Sequence, residues 1–137
     1  MKSTIATILV AFACLMTASG ANAEPIARAA IPFDFTVGQQ MLPAGTYVIT
    51  QVSPEVIELD SWTRLIRLRV GVIPNDSVTQ RPNRLVFHKY DVRYFLSELR
   101  GGVGEFVSTF YPSRLEKNFR LEQSVAATQQ TEEVAWK

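Results

Sequence analysis

From Ile31 onward the chain alternates apolar and polar residues with a period of two. Ile31, Phe33 and Phe35 alternate with Pro32, Asp34 and Thr36, the mark of a strand with one apolar face. Pro32 has no amide hydrogen for a ladder, so this strand belongs at a sheet edge or begins there. Val37 to Gly45 reads as a turn region, with Gly38 suited to positive φ and Pro43 presetting a turn at Leu42-Pro43-Ala44-Gly45. Thr46 to Val52, rich in β-branched and aromatic residues, predicts the next strand. Val56 to Asp60 is a short one, with Ile57 and Leu59 on one face and Glu58 and Asp60 on the other.

Ser61-Trp62-Thr63 turns the chain into its clearest strand, Arg64 to Ile73. There Ile66, Leu68, Val70 and Val72 point one way and Arg67 and Arg69 the other. Pro74 to Asn83 carries two prolines among Asn, Asp and Ser, and predicts a loop. Arg84 to Tyr90 and Val92 to Leu99 predict a hairpin around Tyr90-Asp91, and Gly101, Gly102 and Gly104 a flexible turn before a last strand, Phe106 to Phe110. Ser113 and Glu116, after Pro112, form a capping box for a helix ending near Gln123, with Leu115 and Phe119 four apart on the face expected to meet the sheet. Residues 124–137 are polar and predict a tail that frays.

Strands spaced by about ten residues, with no helix long enough to cross between parallel strands, predict an all-β fold. The expected architecture is a small antiparallel β-sandwich or partly open β-barrel of about seven strands with a short C-terminal helix. The chain divides into 1–23, a single β domain over 24–123 and the polar tail.

The first 23 residues predict an export signal. Lys2 precedes an uncharged apolar run from Ile5 to Met16, and Ala21-Asn22-Ala23 offers the small-x-small pattern of a cleavage site. Twelve helical residues span about 18 Å, short of the ~30 Å hydrocarbon core, so the run is not read as a membrane anchor. Cleavage after Ala23 would deliver the domain to the periplasm or outside the cell. Cys14 reads as a small apolar residue of that run rather than a lipidated one, because bulky Phe12 stands before it and Leu15 and Met16 continue beyond it.

Composition narrows the chemistry. The 137 residues are 47% hydrophobic and 20% charged, enough to fold. With one cysteine and one histidine, the chain holds no Cys/His metal cluster and no internal disulfide framework. Loss of Lys2 takes the basic residues from 14 to 13, equal to the 13 acidic ones. The charge is uneven: Glu24 to Thr63 carries net −4, Arg64 to Arg100 net +5, and the remainder −1. The basic block, with Tyr90, Tyr94 and Phe95 nearby, makes Arg67, Arg69, Lys89, Tyr90 and Arg93 the candidate binding residues. An anionic polysaccharide or another protein of the cell envelope is the expected partner, and nucleic acid is disfavoured by net neutrality and export. The simpler reading is that acidic and basic strands pair inside one sheet.

Catalytic constellations are weak. His88 could serve a triad with Asp34, Asp60 or Asp91 as its orienting group, but no G-x-S-x-G turn presents a serine. Glu58 and Asp60 share one strand face, yet ion pairing with Arg64 or Arg67 explains them at less cost than glycosidase chemistry. Gly101-Gly102-Val103-Gly104 lacks the Lys-Ser/Thr of a phosphate loop, and Asn75-Asp76-Ser77 is a glycosylation sequon that matters only on a eukaryotic secretory route. No catalytic residue, metal or cofactor is assigned. Phe33, Phe35, Tyr47, Phe87, Tyr94, Phe95, Phe106 and Phe110 are expected inside, as core; in a barrel they could instead line a lipocalin-like pocket for an apolar small molecule.

The segment Ile31-Pro32-Phe33-Asp34-Phe35-Thr36-Val37-Gly38, followed by Leu42-Pro43-Ala44-Gly45-Thr46-Tyr47, resembles the opening of a group of small secreted, β-rich hypothetical proteins of soil bacteria. The likeness extends loosely through Tyr94-Phe95-Leu96 and Ser113-Arg114, over about Ala29 to Arg120. It implies an exported single bacterial domain and carries no catalytic residue with it. The favoured expectation is a non-catalytic binding or structural role; the alternatives are the apolar-ligand barrel and, less favoured, a hydrolase.

Overall fold

The computed structural model describes residues 25–75, 83–101, 106–123 and 130–137. Ten strands and one helix follow in order: β1 (Pro25–Ile31), β2 (Phe35–Val37), β3 (Gln40–Leu42), β4 (Gly45–Ser53), β5 (Val56–Ser61), β6 (Ile66–Asn75), β7 (Arg84–Tyr90), β8 (Arg93–Gly101), β9 (Phe106–Phe110), α1 (Arg114–Gln123) and β10 (Gln130–Ala135). The expected signal segment, the centre of the Pro74–Asn83 loop and the glycines at 102 and 104 lie outside the described residues.

All the strands belong to one sheet, ordered β1-β4-β5-β6-β9-β8-β2-β3, with β7 on the other side of β8 and β10 on the far side of β7. β6 joins its two halves: Ile66 to Gly71 pair with β5, and Val72 to Asn75 with β9. β8 is shared in the same way. Its Tyr94 and Phe95 lie parallel to Phe35 and Thr36 of β2, and Glu98 to Gly101 pair with β9. The sheet is therefore mixed and not closed. Its outer edges touch at one place, where Arg28 of β1 and Lys137 exchange two backbone hydrogen bonds of 2.9 and 3.1 Å.

One core fills the inner face. Ala27, Ala29 and Ile31 of β1 meet Phe35, Leu42, Tyr47, Ile49, Ile57, Leu59, Phe87 and Leu99, all buried. Phe35 is edge-on to both Tyr47 and Phe87, with ring centroids 5.3 and 5.5 Å apart. Burial of each such side chain contributes about 1.5–3 kcal/mol, which is how a chain of this size holds together without cross-links. The alternation read in β5 and β6 holds: Ile57 and Leu59 face in, Glu58 and Asp60 out, and Arg67 and Arg69 out.

Four expectations are corrected. The strand read from Ile31 to Thr36 is two, because Pro32 ends the β1 ladder and Pro32 to Asp34 carry the chain from β4 across to β8. The described residues form ten strands rather than about seven, and one pairing, β2 with β8, is parallel. Leu115 is exposed; α1 lies instead on the outer face of β7 and β8 through Glu116, 4% exposed, and Phe119, whose ring centroid is 6.1 Å from that of Phe95. Phe95 is thus buried beneath the helix rather than in the main core. Finally, the polar segment 130–137 does not fray: β10 pairs with β7 from Gln130↔Lys89 to Ala135↔Arg84, and Trp136 enters the core. A polar edge strand needs few apolar residues because its hold is backbone pairing plus this indole and half-buried Val134.

Candidate interaction surface

Strand direction places several turns at one end of the sheet. β6 is antiparallel to β9 and β9 to β8, so β6 and β8 run the same way, as do β2 beside β8 and β4 relative to β6. The turns that precede β2, β4, β6 and β8 therefore share that end. They are residues 32–34, 43–44, 62–65 and 91–92.

Hydrogen bonds knit the first three of these turns together. Asp34 accepts from the Ala44 amide at 2.8 Å, Arg64 donates to the Ala44 carbonyl at 3.4 Å, and the buried Tyr47 hydroxyl donates to the Pro43 carbonyl at 2.6 Å. This explains much of the I-P-F-D-F and L-P-A-G-T-Y spacing as architecture. Burial pushes the Tyr47 phenol above its ordinary range; Arg64 works against that shift and Asp34 adds to it.

The same end exposes large apolar side chains. Leu65 is 92% exposed, Trp62 77%, Val92 77% and Met41 63%. Trp62 and Leu65 line a shallow depression of about 330 Å³ with Ser61 and Ile66. Met41 and Val92 line another of about 250 Å³ with Asp34, Arg93 and Tyr94. The Arg64–Ala44–Asp34 contacts connect the two. Other exposed apolar residues, Val52, Ile73, Tyr111, Leu115 and Leu121, lie on other strands and on or beside the helix.

Leu65 is held at φ 53°. The loop begins as a turn, with the Arg64 amide donating to the Ser61 carbonyl at 3.3 Å, and Leu65 then takes the left-handed conformation that returns the chain into β6. Glycine or asparagine normally fills such a position, since a side chain there costs about 1–2 kcal/mol. Asp91 takes the corresponding φ of 55° in the β7–β8 turn, where its short polar side chain is well tolerated.

The structure splits the sequence-derived binding residues into two groups, Arg67 and Arg69 on β6 and Lys89, Tyr90 and Arg93 at the β7–β8 turn, where Tyr90 and Arg93 are register partners. Arg67 and Arg69 point outward from β6 and are engaged by β5: Arg67 with Asp60 at 2.9 Å and Glu58 at 3.7 Å, Arg69 with Glu58 at 2.7 Å. The hydrogen bond to Asp60, ahead of the attraction of Asp60 and Glu58, raises the Arg67 guanidinium above its ordinary value. Arg69 also borders a groove of about 530 Å³ beside Gly38, Gln39 and Gln40. Lys89 lies over the Tyr94 ring at 5.5 Å, and Arg93 over the Phe119 ring at 5.2 Å. Tyr90 is buried, which corrects its assignment as a surface contact. Its hydroxyl has no partner at hydrogen-bond geometry and faces Arg120, whose guanidinium that contact, ahead of Glu116, raises.

His88 has a carboxylate beside it, although none of the three aspartates weighed for that role. Its Nδ1 stands 2.8 Å from Glu116 Oε1, and Arg120 reaches the same oxygen at 3.5 Å. Ser113 caps the helix by accepting from the Glu116 amide at 3.0 Å. Among the described residues no hydroxyl hydrogen-bonds His88, and no three His, Cys, Asp or Glu side chains converge as a metal ion would require. No helix there is long and apolar enough to cross a membrane. Comparison of the chain with family models, with curated proteins and with solved structures finds no match.

Proposed function

We propose that the protein is a small non-catalytic binding domain whose working surface is the sheet end formed by residues 32–34, 43–44, 62–65 and 91–92. The observation that carries this reading is Leu65. A bulky apolar side chain stands almost fully exposed on a backbone conformation that disfavours it, beside exposed Trp62. Packing does not account for that choice, and conformational preference opposes it. Strained backbone and clustered apolar exposure are both features of interaction sites. The charged face of β5 and β6 supports the reading from the other side, since its arginines are already matched by carboxylates. His88 and Glu116 are read as the tie that holds α1 to the sheet.

Footprinting with a photogenerated carbene tests this directly. The protein is labelled in its native cell-envelope or secreted fraction and again after purification. Protection of Met41, Trp62, Leu65 and Val92 in the native fraction alone is the expected result. Protection confined to Arg67, Arg69 and their strand face, or equal labelling in both preparations, overturns the proposal.

A further inference from the structure

We infer that the partner of this end is an anionic lipid surface, an inference that rests on the interaction surface proposed above. The exposed apolar residues are protrusions on separate turns: Trp62 and Leu65 between β5 and β6, Val92 between β7 and β8, with Met41 on β3. Knobs of this kind insert singly between lipid headgroups, where an indole is well placed because its ring is apolar and its N–H is polar. Charge at this end has the matching sign. Arg64, Lys89 and Arg93 form no ion pair among the described residues, whereas Asp60 is matched by Arg67 and Asp34 is held on the Ala44 amide. Counting Asp34 and Asp91 against the three cations leaves an excess of one positive charge. Cations flanking apolar side chains are the composition of a surface that lies on anionic headgroups. The membrane reading needs only these tips, so the rest of the sheet would stay in water.

The chain has two tryptophans, and Trp136 is buried, so a change in emission on binding reports Trp62. The purified protein is mixed with vesicles of phosphatidylcholine containing phosphatidylglycerol and, separately, with phosphatidylcholine alone. Co-sedimentation with the anionic vesicles and a blue shift absent from Trp62→Phe are expected. Trp62→Ser and Leu65→Gly should each weaken the Kd about tenfold, and Arg64→Gln about fivefold. Leu65→Gly relieves the backbone, so its loss of binding cannot be ascribed to misfolding; circular dichroism and thermal midpoint check this. Absence of the blue shift with anionic vesicles, or unchanged binding by the Trp62→Ser, Leu65→Gly double variant, overturns the lipid assignment. So does a dimer seen by sedimentation that these variants dissociate without any vesicle binding. Native-fraction protection of the same tips without vesicle binding would remove the lipid and leave the interaction surface standing.

Discussion

His88 Nδ1 and Glu116 Oε1 lie 2.8 Å apart although the two residues are 28 positions apart in the chain, one on β7 and one in the first turn of α1. The contact fastens a helix with few inward apolar side chains to the outer face of the sheet. Because Glu116 is buried, its carboxylate needs these partners. Glu116→Ala should therefore cost about 2 kcal/mol in urea unfolding, and Glu116→Gln, which still offers His88 an oxygen, about 1 kcal/mol. In a double-mutant cycle with His88→Ala the two changes should be clearly non-additive. Removing charge at Arg69 should change the urea midpoint little, because its guanidinium is exposed to solvent and Glu58 keeps Arg67 beside it.

Leu65→Gly should raise stability by about 1 kcal/mol, as the left-handed conformation ceases to carry a side-chain penalty. Leu65→Val should lower it, since β-branching makes the same conformation worse. Thermal denaturation of the two variants gives opposite signs if the backbone at this tip is as described.

Tyr47 makes stability fall at high pH. Its phenol ionises later in the folded protein than in the unfolded chain, because burial disfavours the phenolate. Below about pH 10 both states hold the proton and the group contributes no slope. As pH rises beyond that, the unfolded chain loses its proton first, so stability declines until the folded phenol ionises too. Tyr47→Phe should cost about 1 kcal/mol at neutral pH through loss of the bond to Pro43. It should also flatten the decline of urea midpoint above pH 10.

Trp136 and β10 should matter far more than their polar neighbourhood suggests. The Trp136 indole is buried and donates to the Arg100 carbonyl at 3.0 Å. Trp136→Ala should cost about 3–5 kcal/mol. Deleting residues 130–137 would also bare the β7 edge, and the product should aggregate. Soluble, cooperatively unfolding truncated protein would refute this account of the chain's end.

How much of this is legible in the sequence depends on whether a feature is local. The alternation of β5 and β6, the Ser113 cap and the β7–β8 turn are set by neighbours in the chain, and their residues announce them. The charge pairing of Glu58 and Asp60 with β6 was also readable, though Arg69 takes the place expected for Arg64. The His88–Glu116 contact was not: a capping box accounts for Glu116 locally and hides its second role. Nor was β10, since Gln130–Ala135 is held by backbone hydrogen bonds that leave no side-chain pattern. The exposed tip left one faint signal, a leucine and a tryptophan in a hairpin turn where glycine or asparagine would suit the backbone better.

The bond pair between Arg28 and Lys137 has a consequence for how the molecule folds. It joins β1 to the segment after β10 across 109 positions of the chain. Contacts of such separation are slow to form, because a long loop must close before they reward it. The outer edges of β1 and β7 therefore stay open to mispairing until residues 130–137 dock.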